Sequence, residues 1–301
     1  MKPKKIIIDT DIGDDIDDAF ALSLACVMPE VDVLGVVTVF KDVDTRCKMA
    51  KMMLSLGGKD VPVYKGMSRP LAQTSMYGKP IDFNQKLWSY VEDCEKYAGR
   101  FDDGFDFYVR TLEGAKEPIT IVTIGALTNV GHLLLTRPDL KEKIEKIVIM
   151  GGAYEMNYEE YNFTCDPEAA EAVVHSGVEL VAVGLDITSK CYLDSADLKK
   201  LGKVGHPLTE MLLKLLAPGQ QIVYLHDPLT LFYLADPSIF TFRRDIVHVE
   251  VKGEYTRGMV VKFDNCNWQI NSEGSPFRYA IQCDCRKFVD EYVNRLTGLT
   301  K

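Results

Sequence analysis

The sequence lacks any long hydrophobic run. None of its apolar stretches approaches the roughly 18 residues that a membrane-spanning helix needs. The opening residues, MKPKKIIIDTD, also lack the apolar segment and small-residue cleavage site of a signal peptide. We therefore expect a cytoplasmic protein that does not bind or cross a membrane.

Paired cysteine motifs and an excess of basic residues are missing as well. The eight cysteines are irregularly spaced and form no C-x-x-C pair, which indicates reduced thiols. Cys283 and Cys285 stand two residues apart, a weak metal-binding signal without a second pair. The 35 basic residues are outnumbered by 44 acidic ones, and the net charge of −9 argues against nucleic acid as the main partner.

Strand-length runs rich in valine and isoleucine alternate with longer helical stretches. This alternation predicts an α/β fold, with a largely parallel open sheet covered by helices on both faces, in a single domain over residues 1–301. Residues 72–104 are polar, aromatic and interrupted by glycine, which predicts loops with some helix. The predicted strands are 5–9, 31–40, 61–66, 119–125, 144–152, 178–186 and an antiparallel pair, 246–253 and 257–263; the predicted helices are 17–28, 45–58, 105–115, 126–138, 166–177, 207–216, 226–236 and 285–298.

Six aspartates crowd the stretch DTDIGDDIDD, residues 9–18, directly after the first predicted strand. A solvated helix N-terminus explains one or two of them, such as Asp14 and Asp15, but not six. Phosphoryl transfer on an aspartate would need a partner lysine, for which Lys190 is the nearest candidate. A hard divalent cation, Ca²⁺ or Mg²⁺, removes the repulsion between the carboxylates most simply.

Several further segments follow predicted strands. Ligands of open α/β sheets bind beyond the carboxyl ends of the strands, so these segments should share one edge with the aspartates. They are FKD (40–42), IGALTN (124–129), MGGAY (150–154) and LDIT (185–188).

The opening motif D-T-D-x-G…D-D-A-x-A-L resembles that of the inosine–uridine preferring nucleoside hydrolases. Further segments resemble motifs of the same family and occur in the same order over most of the chain, which makes the joint match specific. They are VPVYKGMSRPL (61–71), GALTN (125–129), IVIMGGA (147–153), EEYNFTCDPEAA (159–170), LHDPL (225–229) and YTRGMVV (255–261).

The resemblance implies hydrolysis of the N-glycosidic bond of ribonucleosides, in purine and pyrimidine salvage, at a site holding one Ca²⁺. By position, Asp11 would be a Ca²⁺ ligand that also takes a proton from the attacking water, which Ca²⁺ alone activates only weakly. Asp18 would be a bidentate ligand. The backbone carbonyl of Ile124 and the side chain of Asp227 would complete the protein ligands.

The resemblance also implies how the substrate is held. Asp17, Glu160 and Asn162 would bind ribose hydroxyls, and His226 would lie near the leaving base and protonate it. The reaction passes through an oxocarbenium-like transition state, whose positive charge carboxylates stabilise.

The sequence departs from the family at several site positions. The acidic motif is two residues longer than the family's, so the ribose-binding acid is either Asp17 or Asp15; we favour Asp17. Lys41-Asp42 replaces the family's Gly-Asn, and Asp42 is expected to do the work of the asparagine. Asn157 is the candidate for a further site asparagine, and residues 98–106 lack the family's histidine.

These departures leave open which base is released from the ribose and whether it is released at all. The alternatives are a hydrolase of another N-riboside, such as a modified or nicotinamide nucleoside, and a non-catalytic relative that binds ribose or nucleosides with Ca²⁺. His226, the tyrosines at 154, 158 and 161, and residues 72–106 would distinguish them. Like its relatives, the chain is expected to form a homo-oligomer, a dimer or tetramer, with a small nucleoside as its substrate.

Overall fold

One nine-stranded sheet organises the part of the chain that the computed structural model describes, residues 2–263 and 277–299. The strands are β1 Lys4–Thr10, β2 Val31–Thr38, β3 Val63–Lys65, β4 Ser75–Met76, β5 Lys79–Pro80, β6 Ile119–Thr123, β7 Ile144–Met150, β8 Leu180–Val183, β9 Tyr192–Leu193, β10 Val223–Tyr224, β11 Phe240–Val249, β12 Val260–Phe263 and β13 Phe277–Cys283.

Helices connect most of these strands. They are α1 Asp17–Val27, α2 Val43–Leu56, α3 Gly104–Glu113, α4 Thr128–Thr136, α5 Tyr161–Cys165, α6 Pro167–Val174, α7 Leu185–Thr188, α8 Ser195–Leu201, α9 Pro207–Lys214, α10 His226–Phe232 and α11 Cys285–Thr297, with 3₁₀ turns at Glu92–Tyr97, Pro138–Lys143 and Pro237–Ile239. In the described residues, no helix is both long and apolar enough to span a bilayer.

The strand order is β12-β11-β13-β8-β7-β6-β1-β2-β3. The run from β8 to β3 is parallel, as is the pairing of β13 with β8. The strand β11 is antiparallel to both β12 and β13. The carboxyl ends of β1, β2, β6 and β7 therefore meet at one edge of the sheet, as the sequence predicted.

Apolar layers cover both faces of the sheet. Along β1, Ile6 and Ile8 enter one buried cluster and Ile7 enters the other, because successive strand residues point to opposite faces. A strand buried on both sides can present its polar residues only where it ends, and β1 ends at the aspartates.

The predicted α/β class and largely parallel sheet are confirmed, and the antiparallel pair corresponds to β11 and β12. The sequence analysis did not identify β13, although it joins the antiparallel part to β8. In residues 72–104 the structure has a small β4–β5 hairpin and one 3₁₀ turn. Cys266 lies outside the described residues; the seven described cysteines are free thiols.

The chain makes an unusual turn directly after β2. Phe40 and Lys41 both have left-handed backbone conformations, with φ of 65° and 57°. Such angles are uncommon for residues other than glycine and cluster at functional sites. Their backbone amides donate to the carbonyls of Met67 and Ser68, both at 2.8 Å, which holds the turn in place.

Candidate active site

A cavity of about 320 Å³ opens at the carboxyl end of the parallel strands. Its lining comes from the segments that follow β1, β2, β6, β7 and β8, from the first turn of α10 and from residues 72–106. The lining residues are Asp11, Asp14, Asp15, Asp17, Asp18, Lys41, Tyr77, Trp88, Ile124, Met150, Tyr158, Glu159, Glu160, Tyr161, Asn162, Leu185, His226 and Asp227.

Three buried carboxylates converge at the bottom of this site. Oxygen atoms of Asp17, Asp18 and Asp227 all lie within 4.8 Å of one another. The first two begin α1 and the third lies in the first turn of α10, and the two helices pack together. The backbone amide of Asp227 donates to Oδ2 of Asp17 at 3.2 Å, so residues 210 positions apart share one site.

Little in the protein neutralises these three acids. Burial, followed by the neighbouring carboxylates, raises the pKa of Asp18 and of Asp227 well above the ordinary range. Burial also raises the pKa of Asp11 to about 7, although Arg46 opposes it. Adjacent buried carboxylates of this kind fit a hard divalent cation, which favours oxygen ligands.

A buried arginine compensates another part of the acid cluster. The guanidinium of Arg46 is completely buried, and its Nη2 lies 3.0 Å from Oδ2 of Asp14. Lys41 Nζ lies 3.5 Å from the same oxygen, and the hydroxyl of Tyr161 donates to it at 2.7 Å. Burial alone would raise the pKa of Asp14, but Arg46 and Lys41 outweigh it and the pKa is lowered. The crowded acids therefore divide into a compensated Asp14 and an uncompensated group.

The two candidates for the ribose-binding acid occupy different places. Asp15 is exposed at the rim of the cavity. Asp17 is buried against Asp18 and Asp227. The geometry favours Asp17, because it is the candidate whose carboxylate lies buried within the cluster.

Glu160 and Asn162 are held rigidly on the opposite wall. The carboxylate of Glu160 caps α5, accepting from the amides of Asn162 and Phe163, and also accepts from the amide of Gly152 at 2.9 Å. The side-chain amide of Asn162 donates to the carbonyls of Ile124 at 3.3 Å and Met150 at 3.1 Å. This contact places the Ile124 carbonyl at the cavity.

His226 begins α10, next to the acids. Its Nδ1 lies 2.7 Å from the Thr188 hydroxyl, and its ring stacks on Tyr224. Burial lowers the pKa of His226, and the carboxylate of Asp15 partly offsets this. The ring is fixed where it can approach a bound base.

The structure does not bring every predicted residue to the cavity. Asp42 instead caps α2, accepting from the amide of Thr45 at 3.0 Å. The left-handed turn at Phe40 and Lys41 directs Lys41 into the cavity in its place. Asn157 lies in the exposed segment 155–158 and is not among the described residues that line the cavity. Lys190, the phosphoryl-transfer partner considered above, is exposed and likewise absent from that lining.

Aromatic residues form the outer rim. Tyr77 is 55% exposed and Trp88 is 82% exposed, yet both line the cavity, as do Tyr158 and Tyr161. Tyr154 belongs to the core, where its ring stacks on that of Tyr279 at 4.5 Å. The flat faces of the rim residues suit a heterocyclic base.

Four lining or supporting residues escaped the sequence analysis: Lys41, Arg46, Tyr77 and Trp88. Tyr77 and Trp88 fall in the segment 72–106, whose aromatic content was the one available signal. No signal in the sequence indicated Arg46, because a single basic residue within a predicted helix is typical of a surface position.

Comparison with known proteins places these features in a family. A family profile described as inosine-uridine preferring nucleoside hydrolase matches residues 6–290. The pyrimidine-specific ribonucleoside hydrolase RihA of Salmonella enteritidis PT4 is 34% identical over 273 residues, which are 85% of this chain and 87% of that protein.

Solved structures agree with this similarity. A plant nucleoside hydrolase, PpNRh1, superimposes with a TM-score of 0.85 at 27% identity, over 99% of this chain and all of that one. A purine-preferring ribonucleoside hydrolase from Gardnerella vaginalis gives a TM-score of 0.76 at 25% identity, over 98% of both chains.

Proposed function

The chain belongs to the inosine-uridine preferring nucleoside hydrolase family and hydrolyses the N-glycosidic bond of ribonucleosides, and on this premise we propose how its own residues divide the work. The resemblance to the family inferred from the sequence is thereby confirmed. The observation that carries the proposal is the group of buried, uncompensated carboxylates at the bottom of the cavity.

Asp11, Asp18, Asp227 and the carbonyl of Ile124 would hold one Ca²⁺. Their chemistry fits the ion, because all four donors are oxygens and Arg46 offsets the burial of the Asp11 and Asp18 carboxylates only in part. When bound, the cation supplies positive charge that offsets these acids and orients ribose hydroxyls and a water molecule.

Asp11 is the proposed general base. Its carboxylate is almost completely buried and lies close enough to Asp17, Asp18 and Asp227 to raise their pKa values, which places it at the proposed reaction centre. In this role it removes the proton from the water that attacks the anomeric carbon.

Asp17, Glu160 and Asn162 would bind the ribose hydroxyls. The hydrogen bonds that fix Glu160 and Asn162 leave these groups little freedom, which lowers the entropic cost of orienting the sugar. The carboxylates also stabilise the positive charge that develops on the ribose ring.

His226 would protonate the leaving base. It lines the cavity directly before Asp227, and its contact with Thr188 fixes the ring. Stacking on Tyr77 or Trp88 would hold the base in reach of this histidine.

The decisive experiment compares Asp11→Asn with the unchanged chain. Each protein is incubated with Ca²⁺ and a panel of ribosides, and the released reducing sugar is measured. Uridine and cytidine come first because the RihA relative is described as pyrimidine-specific; purine and nicotinamide ribosides follow. We expect Asp11→Asn to lose roughly 10²-fold or more of the activity, since a positioned base contributes that much.

Asp15→Asn is the matched control, because it removes a carboxylate from the exposed rim of the same cavity. It should keep most of the activity. Normal turnover by a folded Asp11→Asn protein would show that another group acts as the base. Ca²⁺-dependent binding of ribose without turnover of any riboside would instead favour a non-catalytic relative.

We also propose a cytoplasmic homo-oligomer, dimer or tetramer, that acts in nucleoside salvage. The seven free cysteines support a reducing compartment. Light scattering coupled to size-exclusion chromatography would give the subunit number.

A further inference from the structure

A second group of metal-ligating side chains lies away from the cavity. Glu171 and His175 are one turn apart at the end of α6, and His248 comes from β11. Nε2 of His175 lies 2.9 Å from Nδ1 of His248, and Oε1 of Glu171 lies 3.1 Å and 3.0 Å from these two nitrogens. The three atoms therefore form a nearly equilateral triangle.

Hydrogen bonding does not account for this triangle. An ionised carboxylate has no hydrogen, and each facing ring nitrogen carries at most one. The hydrogens on the two ring nitrogens can therefore form hydrogen bonds along at most two of the three sides of the triangle. The third side then brings together two lone pairs, or two N–H groups, at contact distance, which is unfavourable.

A metal ion satisfies all three atoms together. For bonds of about 2.0–2.2 Å, neighbouring ligand atoms of a tetrahedral or octahedral ion are roughly 2.8–3.6 Å apart. The three measured distances fall within this range. Two imidazoles and one carboxylate on one face of an ion leave its remaining positions open to water.

We propose that Glu171, His175 and His248 bind a divalent transition-metal ion such as Zn²⁺, Co²⁺ or Ni²⁺. Imidazole nitrogens favour these ions, whereas Ca²⁺ and Mg²⁺ favour oxygen ligands. The site is thus chemically distinct from the carboxylate cluster, and none of its residues is among those described as lining the cavity.

Surrounding contacts already orient the ligands. The second oxygen of Glu171 accepts a hydrogen bond from the backbone amide of Val249 at 2.6 Å. The His248 ring packs edge-on against Phe263. Contacts of this kind fix ligand geometry before the ion binds. Each of the three side chains is between 26% and 29% exposed, so an ion from solution can enter.

The ion would fasten α6 to β11. A bidentate ion pair between Glu168 and Arg257 already joins this helix to the turn between β11 and β12. The proposed site adds a second link, one turn further along the helix. Its role is to stabilise the contact between the antiparallel part of the sheet and a helix of the parallel core.

The test must separate this site from a thiol cluster. Sulfur atoms of Cys191, Cys283 and Cys285 also lie within 4.8 Å of one another and can bind Zn²⁺. The full chain carrying Cys285→Ser is therefore titrated calorimetrically with ZnCl₂ in reducing buffer. Excess Ca²⁺ is present to occupy the carboxylate cluster.

We expect this protein to bind one Zn²⁺, and the further substitution His248→Ala to weaken binding by at least about tenfold to a hundredfold. Glu171→Gln should do the same while keeping the size of the side chain. His132→Ala is the control and should leave binding unchanged, because His132 lies in α4 with its ring tilted against that of Phe105. Zn²⁺ should raise the melting temperature of the Cys285→Ser protein but not of the His248→Ala form.

Equal Zn²⁺ binding with and without His248→Ala and Glu171→Gln would overturn the proposal. Hydrolysis of nucleosides should persist in each variant, which reports that the chain is folded and keeps the outcome independent of the proposed catalytic mechanism.

Discussion

One buried arginine, Arg46, allows part of the acidic stretch 9–18 to pack against the core. The guanidinium of Arg46 donates to the carbonyls of Phe40, Asp11 and Ile12 and pairs with Asp14. It therefore fixes the backbone that carries Asp11, the proposed general base. Asp18 and Asp227, whose pKa values burial raises well above the ordinary range, are two of the ligands proposed for the cation.

Replacing Arg46 by methionine should cost about 3 kcal/mol or more of unfolding free energy, because Asp14 and three carbonyls lose their buried partner. Urea denaturation measures the change. Lys48→Met on the same helix is the control; its ion pair with Glu95 is near the surface, where water screens it, and should contribute far less. Equal losses in the two variants would mean that Arg46 does not support the acidic turn.

His226→Gln should separate leaving-group protonation from the rest of the reaction. Turnover of natural nucleosides should fall by about 10²-fold or more, because their bases leave poorly without a proton. Turnover of 4-nitrophenyl riboside, whose leaving group departs without protonation, should change far less. A similar loss on both substrates, measured as kcat, would place His226 in a positioning role.

At this scale, the sequence predicted residues that follow strand ends. Asp11, Asp17 and Asp18 line the cavity because they follow β1 at the edge where the parallel strands end, whereas Glu160 and Asp227, which also line it, were predicted from the family resemblance. It failed at Asp42, since the left-handed turn before it depends on hydrogen bonds to the distant residues Met67 and Ser68.

The ends of β1 and β6 meet closely at the site. The amide of Ile124 donates to the carbonyl of Asp9 at 2.8 Å, which extends the pairing of the two strands. A Cβ atom on Gly125 would lie 2.7 Å from the backbone nitrogen of Asp11 and 2.8 Å from its Oδ1. The two strands can therefore approach only because residue 125 is glycine.

Gly125→Ala should displace the Asp11 carboxylate and lower kcat/KM by about a hundredfold, since small shifts of a catalytic group are that costly. Gly99→Ala is the control, because a Cβ there meets no heavy atom within 4 Å. Nucleoside hydrolysis assays on both variants check this. Unchanged activity in Gly125→Ala would show that the position of Asp11 tolerates the added methyl group.

Elements with strong periodicity were predictable, and elements defined by tertiary pairing were not. β1 and α1 correspond closely to their predicted ranges. β13 was missed because its place depends on pairing with β8 and β11, about 100 and 35 residues earlier in the chain. The triangle of Glu171, His175 and His248 was unpredictable for the same reason, since its members are 73 residues apart.

The stability of the whole molecule should depend jointly on Ca²⁺ and pH. Asp11, with a pKa of about 7, and the other clustered acids hold protons more tightly when folded than unfolded aspartates, whose pKa is about 3.9. The metal-free protein should therefore lose stability as the pH rises from about 4 to 7. Ca²⁺ replaces these protons, so its stabilising effect should grow over the same interval.

Thermal melts with excess Ca²⁺ or with EDTA test this expectation. At pH 8 we expect Ca²⁺ to raise the melting temperature by roughly 5 °C, and by less at pH 6. Asp227→Asn should abolish most of the difference. An equal Ca²⁺ effect at both pH values would show that the ion does not bind at the clustered carboxylates.

The extent of the domain, residues 1–301, stays a prediction.

The proposed Ca²⁺ site joins the two halves of the chain. Asp11 and Asp18 lie near the N-terminus and Asp227 is about 210 residues later, yet α10, which carries Asp227, packs on α1. During synthesis on the ribosome, the first two acids emerge long before the third. A nascent chain therefore cannot assemble this site until α10 has been translated and has docked on α1. Tight Ca²⁺ binding would then indicate that the chain has completed its folding.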